Sequence, residues 1–437
     1  MKNRMISGKI SQDDSKLEIV ERFNLAGSKK ILVDFRQICG DYYRDYYTNL
    51  IHSYPAKMYG AIAQSLIYVY AKRGDTILDP YCGTGTVLMQ SCLVGINSIG
   101  IDINPLACLI AEVKTTKLNI NKLKKEAEKL ISKIRKIDKR VDVPSFPNTD
   151  FWFEKNIQVD LARILIEIKK ISNRKYKRFF LICFSSIIRK ASNADPEIKP
   201  PVKTKRMIEL HKRGKSPDVI EEFKKAVNTN LERLEKFCRD CSKSVEAKII
   251  NGDFRDIEVQ DNSIDLVITS PPYIGSQKYV RSTRLENLWL NLSDSETLRK
   301  IDHKTIGTEN IFSSDIEIDK LNINYADKLI DRIEKKDKKR AYIVYKYFFD
   351  MKQSIQKLYK ILKKDKYLII VIGDNTIREL YIPTHRILSD ILTRNGFVKE
   401  KILKDKIKYR GFMKKRNHTA GIIDYEWILI FRKGLNV

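Results

Sequence analysis

Apolar residues in this chain come in short runs that stop at acidic or turn-forming residues. Thr76–Leu78 stops at Asp79-Pro80 and Ser98–Ile101 at Asp102. Lys248–Ile250 precedes Gly252-Asp253, Asp265–Ile268 precedes Ser270-Pro271-Pro272, and Tyr367–Ile372 precedes Gly373-Asp374. Runs of this length suit strands. Their strand-then-helix rhythm predicts a mostly parallel sheet with helices on both faces. Two further strands, Val398–Leu403 and Glu426–Phe431, are joined by a basic loop without a clear helix. They predict an antiparallel hairpin at one sheet edge. The expected fold class is therefore α/β, a doubly wound, seven-stranded, Rossmann-like sheet. Ile51 to Tyr70 reads as a loop entering an amphipathic helix, with Pro55 near its start.

Two stretches break the rhythm. From about Lys117 to Ala247, Leu123, Ala127, Leu130, Ile134 and Ile137 have helical spacing, as do Val219, Phe223, Ala226, Leu231, Leu234 and Phe237. This is a helical insertion rich in Lys and Arg. Residues 291–339 are polar, with a loop-like Gly307–Asp315 segment. The expected division is thus 1–116, an insertion over 117–246, and 247–437.

Composition narrows the function. There are 83 Lys+Arg against 55 Asp+Glu, a formal charge of +28, which calls for a polyanionic partner. No apolar run approaches the ~20 residues of a membrane span. The first residues lack a signal-like apolar core, and seven cysteines are not a disulfide framework. A reducing cytoplasm is expected. Cys238 and Cys241 form a lone CxxC without a second pair, and the five histidines are scattered, so no metal is expected. His418 belongs to the basic loop.

The segment Asp79-Pro80-Tyr81-Cys82-Gly83-Thr84-Gly85-Thr86 puts a small-residue turn between a strand and a helical run. Such a turn lets a ligand approach backbone and helix N-terminus. No Gly-Lys-Ser/Thr follows, so it is not a P-loop. Leu88 stands where a dinucleotide fingerprint has its third glycine, and Asp79 would repel a pyrophosphate. A carboxylate there suits an amine-bearing ligand. Asp102, 17 residues after Gly85, is placed to accept from ribose hydroxyls, and Asp253 from an adenine amino group. S-adenosylmethionine fits this set better than a nicotinamide dinucleotide.

Thr269-Ser270-Pro271-Pro272-Tyr273 follows the fourth strand. Paired prolines stiffen the loop and offer acceptors without N–H donors. Ser270 Oγ and the Pro271 carbonyl suit an exocyclic amine, and Tyr273 offers a face for stacking on a flipped base.

These motifs together resemble the amino-methyltransferases of DNA. Asp79–Thr86 is similar to that family's glycine-rich cofactor motif, Gly100–Ala107 to its ribose motif, and Asn251–Phe254 to its adenine motif. Ser270-Pro271-Pro272-Tyr273 matches the catalytic motif in the form typical of N4-cytosine enzymes; adenine-N6 enzymes more often begin it with Asp or Asn. His52–Lys57 resembles the stretch that closes over the methionine end. The resemblance implies cofactor contacts from Tyr54, Lys57, Asp79, Pro80, Cys82, Gly83, Gly85, Thr86, Asp102, Ile103, Asp253 and Phe254. It implies catalysis by Ser270, Pro271, Pro272 and Tyr273, S-adenosyl-L-methionine as cofactor, duplex DNA as partner, and a restriction endonuclease acting separately. Ser192-Asn193-Ala194-Asp195-Pro196 resembles a segment in a subgroup of such methylases.

Lys278, Arg281 and Arg284, after the catalytic loop, are candidates for holding the DNA backbone. So are Lys408, Arg410, Lys414 and Arg416, interleaved with Tyr409 and Phe412. Methylation of adenine N6 or of RNA is the near alternative. A non-catalytic nucleic-acid binder and a nicotinamide oxidoreductase are the remote ones. Carbon-5 cytosine chemistry is set aside, because no proline precedes a cysteine.

Overall fold

The computed structural model describes residues 12–29, 31–40, 47–55, 57–137, 141–198, 200–212, 217–241, 245–275, 279–407 and 423–434. Nine strands occur there: β1 (Thr76–Asp79), β2 (Asn97–Asp102), β3 (Ala247–Asn251), β4 (Ile264–Thr269), β5 (Leu362–Ile372), β6 (Asn375–Ile377), β7 (Leu380–Ile382), β8 (Phe397–Lys406) and β9 (Tyr425–Lys433). Seven form one sheet in the order β3-β2-β1-β4-β5-β9-β8. The first five are parallel, and β9 runs antiparallel to both β5 and β8. The fold class is the expected one, with the closing hairpin at the β8 edge.

The sheet is apolar on both faces, as helix-covered parallel sheets are. Alternation along each strand divides the core. Ile77, Leu266, Ile268, Ile369 and Val371 face one side, where they meet the helix Gly60–Tyr70 and Phe23. Leu78, Val267, Leu368, Ile370 and Ile372 face the other, against Tyr347, Phe348 and Met351 of the helix Lys338–Ile361. The Gly60–Tyr70 helix is buried through Gly60–Ile67, not only along one stripe, because the sheet and an N-terminal helix enclose it.

The basic segment after residue 117 is helical. Its main helices are Ile120–Arg135, Lys155–Lys169, Arg174–Ala191 and Val219–Asp240. Leu123, Leu161, Phe184 and Phe223 share one core with Met89, Leu106, Ile110 and Trp289. Asn193 and Asp195 fasten this layer. Asn193 donates its side-chain amide to the Phe151 carbonyl (3.0 Å). The Asp195 carboxylate accepts from the Glu197 N–H, Thr204 Oγ1 and Arg206 at 2.9–3.0 Å. The Ser192–Pro196 segment is thus a knot tying loop to helix.

Two features were not expected. Residues 375–382 form a small hairpin, β6–β7, and β5 begins five residues earlier, at Leu362.

Candidate active site

The sheet order reverses between β1 and β4, since β1 is followed on one side by β2 and on the other by β4. Ligands of open α/β sheets bind at such a switch point, outside the carboxyl ends of the strands. The loops after β1 and β4 both emerge there. Thr269, the last residue of β4, donates its hydroxyl to Asp79 Oδ1 (2.7 Å) at the end of β1.

A pocket opens at these strand ends. Tyr54, Pro80, Gly83, Asp102, Ile103, Asp253, Phe254, Ser270 and Pro272 all line it. Gly83 has φ +50°, a left-handed conformation, and open space where a Cβ would project. Its bare backbone faces the pocket. Gly85, at φ +73°, is fixed for another reason: a Cβ there would lie 2.9 Å from the Ala111 Cβ.

Asp102 is held by backbone. Its Oδ2 accepts from the Gly83 N–H (2.9 Å) and its Oδ1 from the Asn104 N–H (2.8 Å). Burial pushes its carboxyl up to about 6, with those two donors pulling the other way. Each oxygen keeps a lone pair for a diol. Asp253 is held by a side chain. Arg255 donates Nε and Nη2 to its two oxygens at 2.6–3.2 Å, and the Arg255 N–H takes Oδ1 as well. Burial disfavours the Asp253 charge, but Arg255 outweighs it and keeps the carboxyl below the usual range. Asp350 pairs with the other side of Arg255 (2.8 Å). Little acceptor capacity is left on Asp253 for an adenine amine. Phe254 offers its ring instead, with Lys357 Nζ 5.1 Å from the centroid.

Other expected contacts lie behind the pocket wall. Lys57 donates to the carbonyls of Asn49 (2.8 Å) and His52 (2.6 Å), bracing its own loop. Asp79 is buried beside Thr269, and burial pushes it up to about 7 despite hydrogen bonds from Thr269 and the Tyr81 N–H. Cys82 is packed, its thiol pushed up by burial. The Thr86 hydroxyl meets Asn49 Oδ1 (3.3 Å).

In the second loop, Ser270 and Pro272 face the pocket, whereas Pro271 is buried. Tyr273 turns away toward Gly373, and its hydroxyl donates to Glu426 of β9 (3.1 Å). Burial pushes Glu426 up to about 7. Sequence reading missed this partner, as it missed Arg255.

It also missed the far wall, made by Tyr279, Val280 and Lys304–Ile306. Asn104 ties that wall to the site. Its amide donates to the Tyr54 hydroxyl (3.0 Å) and to Thr283 Oγ1 (3.1 Å). Asn104 also caps the helix that begins at Pro105, its Oδ1 accepting from the Leu106 N–H (3.1 Å). Sequence reading signalled neither use.

Arg281 and Arg284 are exposed beside the pocket. Lys278, Lys408, Arg410, Lys414 and Arg416 lie outside the described residues. Among the described residues, no group of three His, Cys, Asp or Glu is placed to hold a metal, and no helix is long and apolar enough to cross a membrane.

The residues fit an adenosine-bearing cofactor: an acceptor pair for a diol, an aromatic ring, and a bare glycine backbone. A family model for N6/N4 methyltransferases, described as DNA methylase, matches residues 25–113 and 264–437, more than half of the chain. The chain is 29% identical over 374 residues to the type II methyltransferase M.MvaI of Kocuria varians, covering 79% of this chain and 81% of that protein. It is 27% identical over 316 residues to the type II methyltransferase M.MjaII of Methanocaldococcus jannaschii, covering 52% of this chain and 59% of that protein. Identity to the type II methyltransferase M.AvaI of a Nostoc strain is 24% over 375 residues, covering 78% of this chain and 77% of that protein.

Proposed function

The chain belongs to the DNA methylase family, and from that membership we propose that it methylates the exocyclic N4 amine of a cytosine flipped from duplex DNA, as the modification enzyme of a restriction–modification pair. Its cofactor is S-adenosyl-L-methionine. The observation that carries the reading is that Ser270 and Pro272 open onto the same pocket as Asp102 and Phe254. A base held by this loop meets the cofactor without crossing solvent.

Bound there, the cofactor supplies an electrophilic methyl group. The protein supplies position. Asp102 accepts from the ribose hydroxyls, Gly83 lets the ligand close on the backbone, and Phe254 and Ile103 flank the adenine. Ser270 Oγ and the Pro271 carbonyl accept from the target amine, drawing N–H electron density toward nitrogen and aiming its lone pair. Glu426 holds the Tyr273 hydroxyl and so fixes the loop that carries both acceptors. Lys278, Arg281, Arg284, Lys408, Arg410, Lys414 and Arg416 grip the phosphodiester backbone.

Mapping modified bases in a host genome that expresses the chain tests the reading. N4-methylcytosine within one recurring motif is the expected result. N6-methyladenine alone would sink the cytosine assignment, and methyl transfer to RNA only would sink DNA as substrate.

A further inference from the structure

A second cleft, of about 400 Å³, lies beside the cofactor pocket. Two helical faces form it. Arg281 and Arg284 project from one, around the turns at Tyr279–Ser282 and Arg284–Trp289. Ser295, Arg299 and Asp302 project from the other, the helix Ser295–Lys304. Spacings of four and three residues put Ser295, Arg299 and Asp302 on a single side of their helix. The faces meet across the cleft, where Arg284 donates to Ser295 Oγ (3.4 Å).

The charge balance favours an anion. Arg281, Arg284 and Arg299 are exposed. None forms an ion pair with a described residue. Two carboxylates also line the cleft, Asp302 and Glu309, but Arg340 already pairs with Glu309. Guanidinium groups bind phosphodiester oxygens in bidentate fashion.

Position narrows the anion. Val280 lines both this cleft and the cofactor pocket, and Lys304–Ile306, which end and follow the Arg299 helix, line the cofactor pocket. Both walls of the arginine cleft therefore continue into the wall of the site where the base would be methylated. We propose that the cleft grips the DNA backbone beside the flipped nucleotide, with Arg299, on the polar segment after the catalytic loop, as a phosphate contact alongside Arg281 and Arg284. The inference rests on the DNA-methylase reading.

The test is the salt dependence of binding to a fluorescein-labelled duplex of random sequence, for the full chain and for Arg281→Ala, Arg299→Ala and Lys300→Ala. Lys300 lies on the same helix but pairs with Glu296 (2.8 Å) and does not line the cleft. Loss of one phosphate contact should make the slope of log Kd against log salt shallower by about 0.9. That change is expected for each arginine variant and not for Lys300→Ala. A slope equal to wild type in Arg299→Ala, or the same change in Lys300→Ala, would overturn the cleft. Methyl transfer to DNA is scored separately. A wild type that binds steeply but transfers no methyl fails the methylase reading alone.

Discussion

Asp102 ends β2, Asp253 follows the neighbouring β3, and both face one pocket, yet they are held in opposite ways. Two backbone N–H groups hold Asp102, whose carboxyl rises to about 6. A guanidinium braced by Asp350 holds Asp253, whose carboxyl falls below its usual range. Backbone donors leave a carboxylate half its acceptor capacity, whereas a bidentate arginine uses most of it. The first acid is therefore built to receive a ligand, and the second to hold the loop that carries Phe254.

The sharpest way to break this contrast is Arg255→Met. It leaves Asp253 and Asp350 without their shared partner, and we expect a loss of about 3 kcal/mol in stability, read by denaturant unfolding. An unchanged midpoint would show that Asp253 does not depend on Arg255. Ser270→Ala separates holding from chemistry. Turnover should fall about 100-fold, or about 2.7 kcal/mol, with cofactor affinity nearly intact. A loss confined to cofactor affinity would move Ser270 out of the catalytic role. Asp102→Ala should do the reverse, weakening the cofactor Kd about 30-fold, or about 2 kcal/mol, in calorimetric titration. Equal affinity in wild type and variant would end the ribose role.

The smallest effect concerns Asp79. Its carboxyl, raised to about 7 by burial, is largely ionised at pH 7.5 and largely protonated at pH 6. The ionised form attracts a cationic amine through the pocket wall, so cofactor affinity should drop from pH 7.5 to pH 6, by at most roughly eightfold. Asp102, at about 6, adds up to about twofold in the same direction. Asp79→Asn should flatten the larger part. A flat profile in the wild type would leave Asp79 as a tie between strands.

What could be read from the sequence was local. Each acid sits within two residues of a strand end, and strand ends are marked by apolar runs meeting Gly, Pro or Asp. The partners of those acids were not local. Asp350 is 95 residues from Arg255, and Glu426 is 153 from Tyr273. The hairpin β6–β7 hid for another reason. Its turn residues Arg378 and Glu379 both have positive φ, a conformation that sequence reading associates with Gly and Asn. The Lys304–Ile306 wall lies in a polar segment whose composition points only to solvent.

The hydroxyl bond from Thr269 to Asp79 has an evolutionary consequence. It joins the last residues of two adjacent strands that are 190 positions apart in the chain. The spacing between cofactor loop and base-holding loop is therefore set by the sheet, where neighbours lie about 4.8 Å apart, and not by the polypeptide that links them. Lineages are free to lengthen, shorten or reorder the intervening chain while the reacting groups keep their places. The sheet acts as a fixed ruler that keeps the two loops in step across 190 residues of chain.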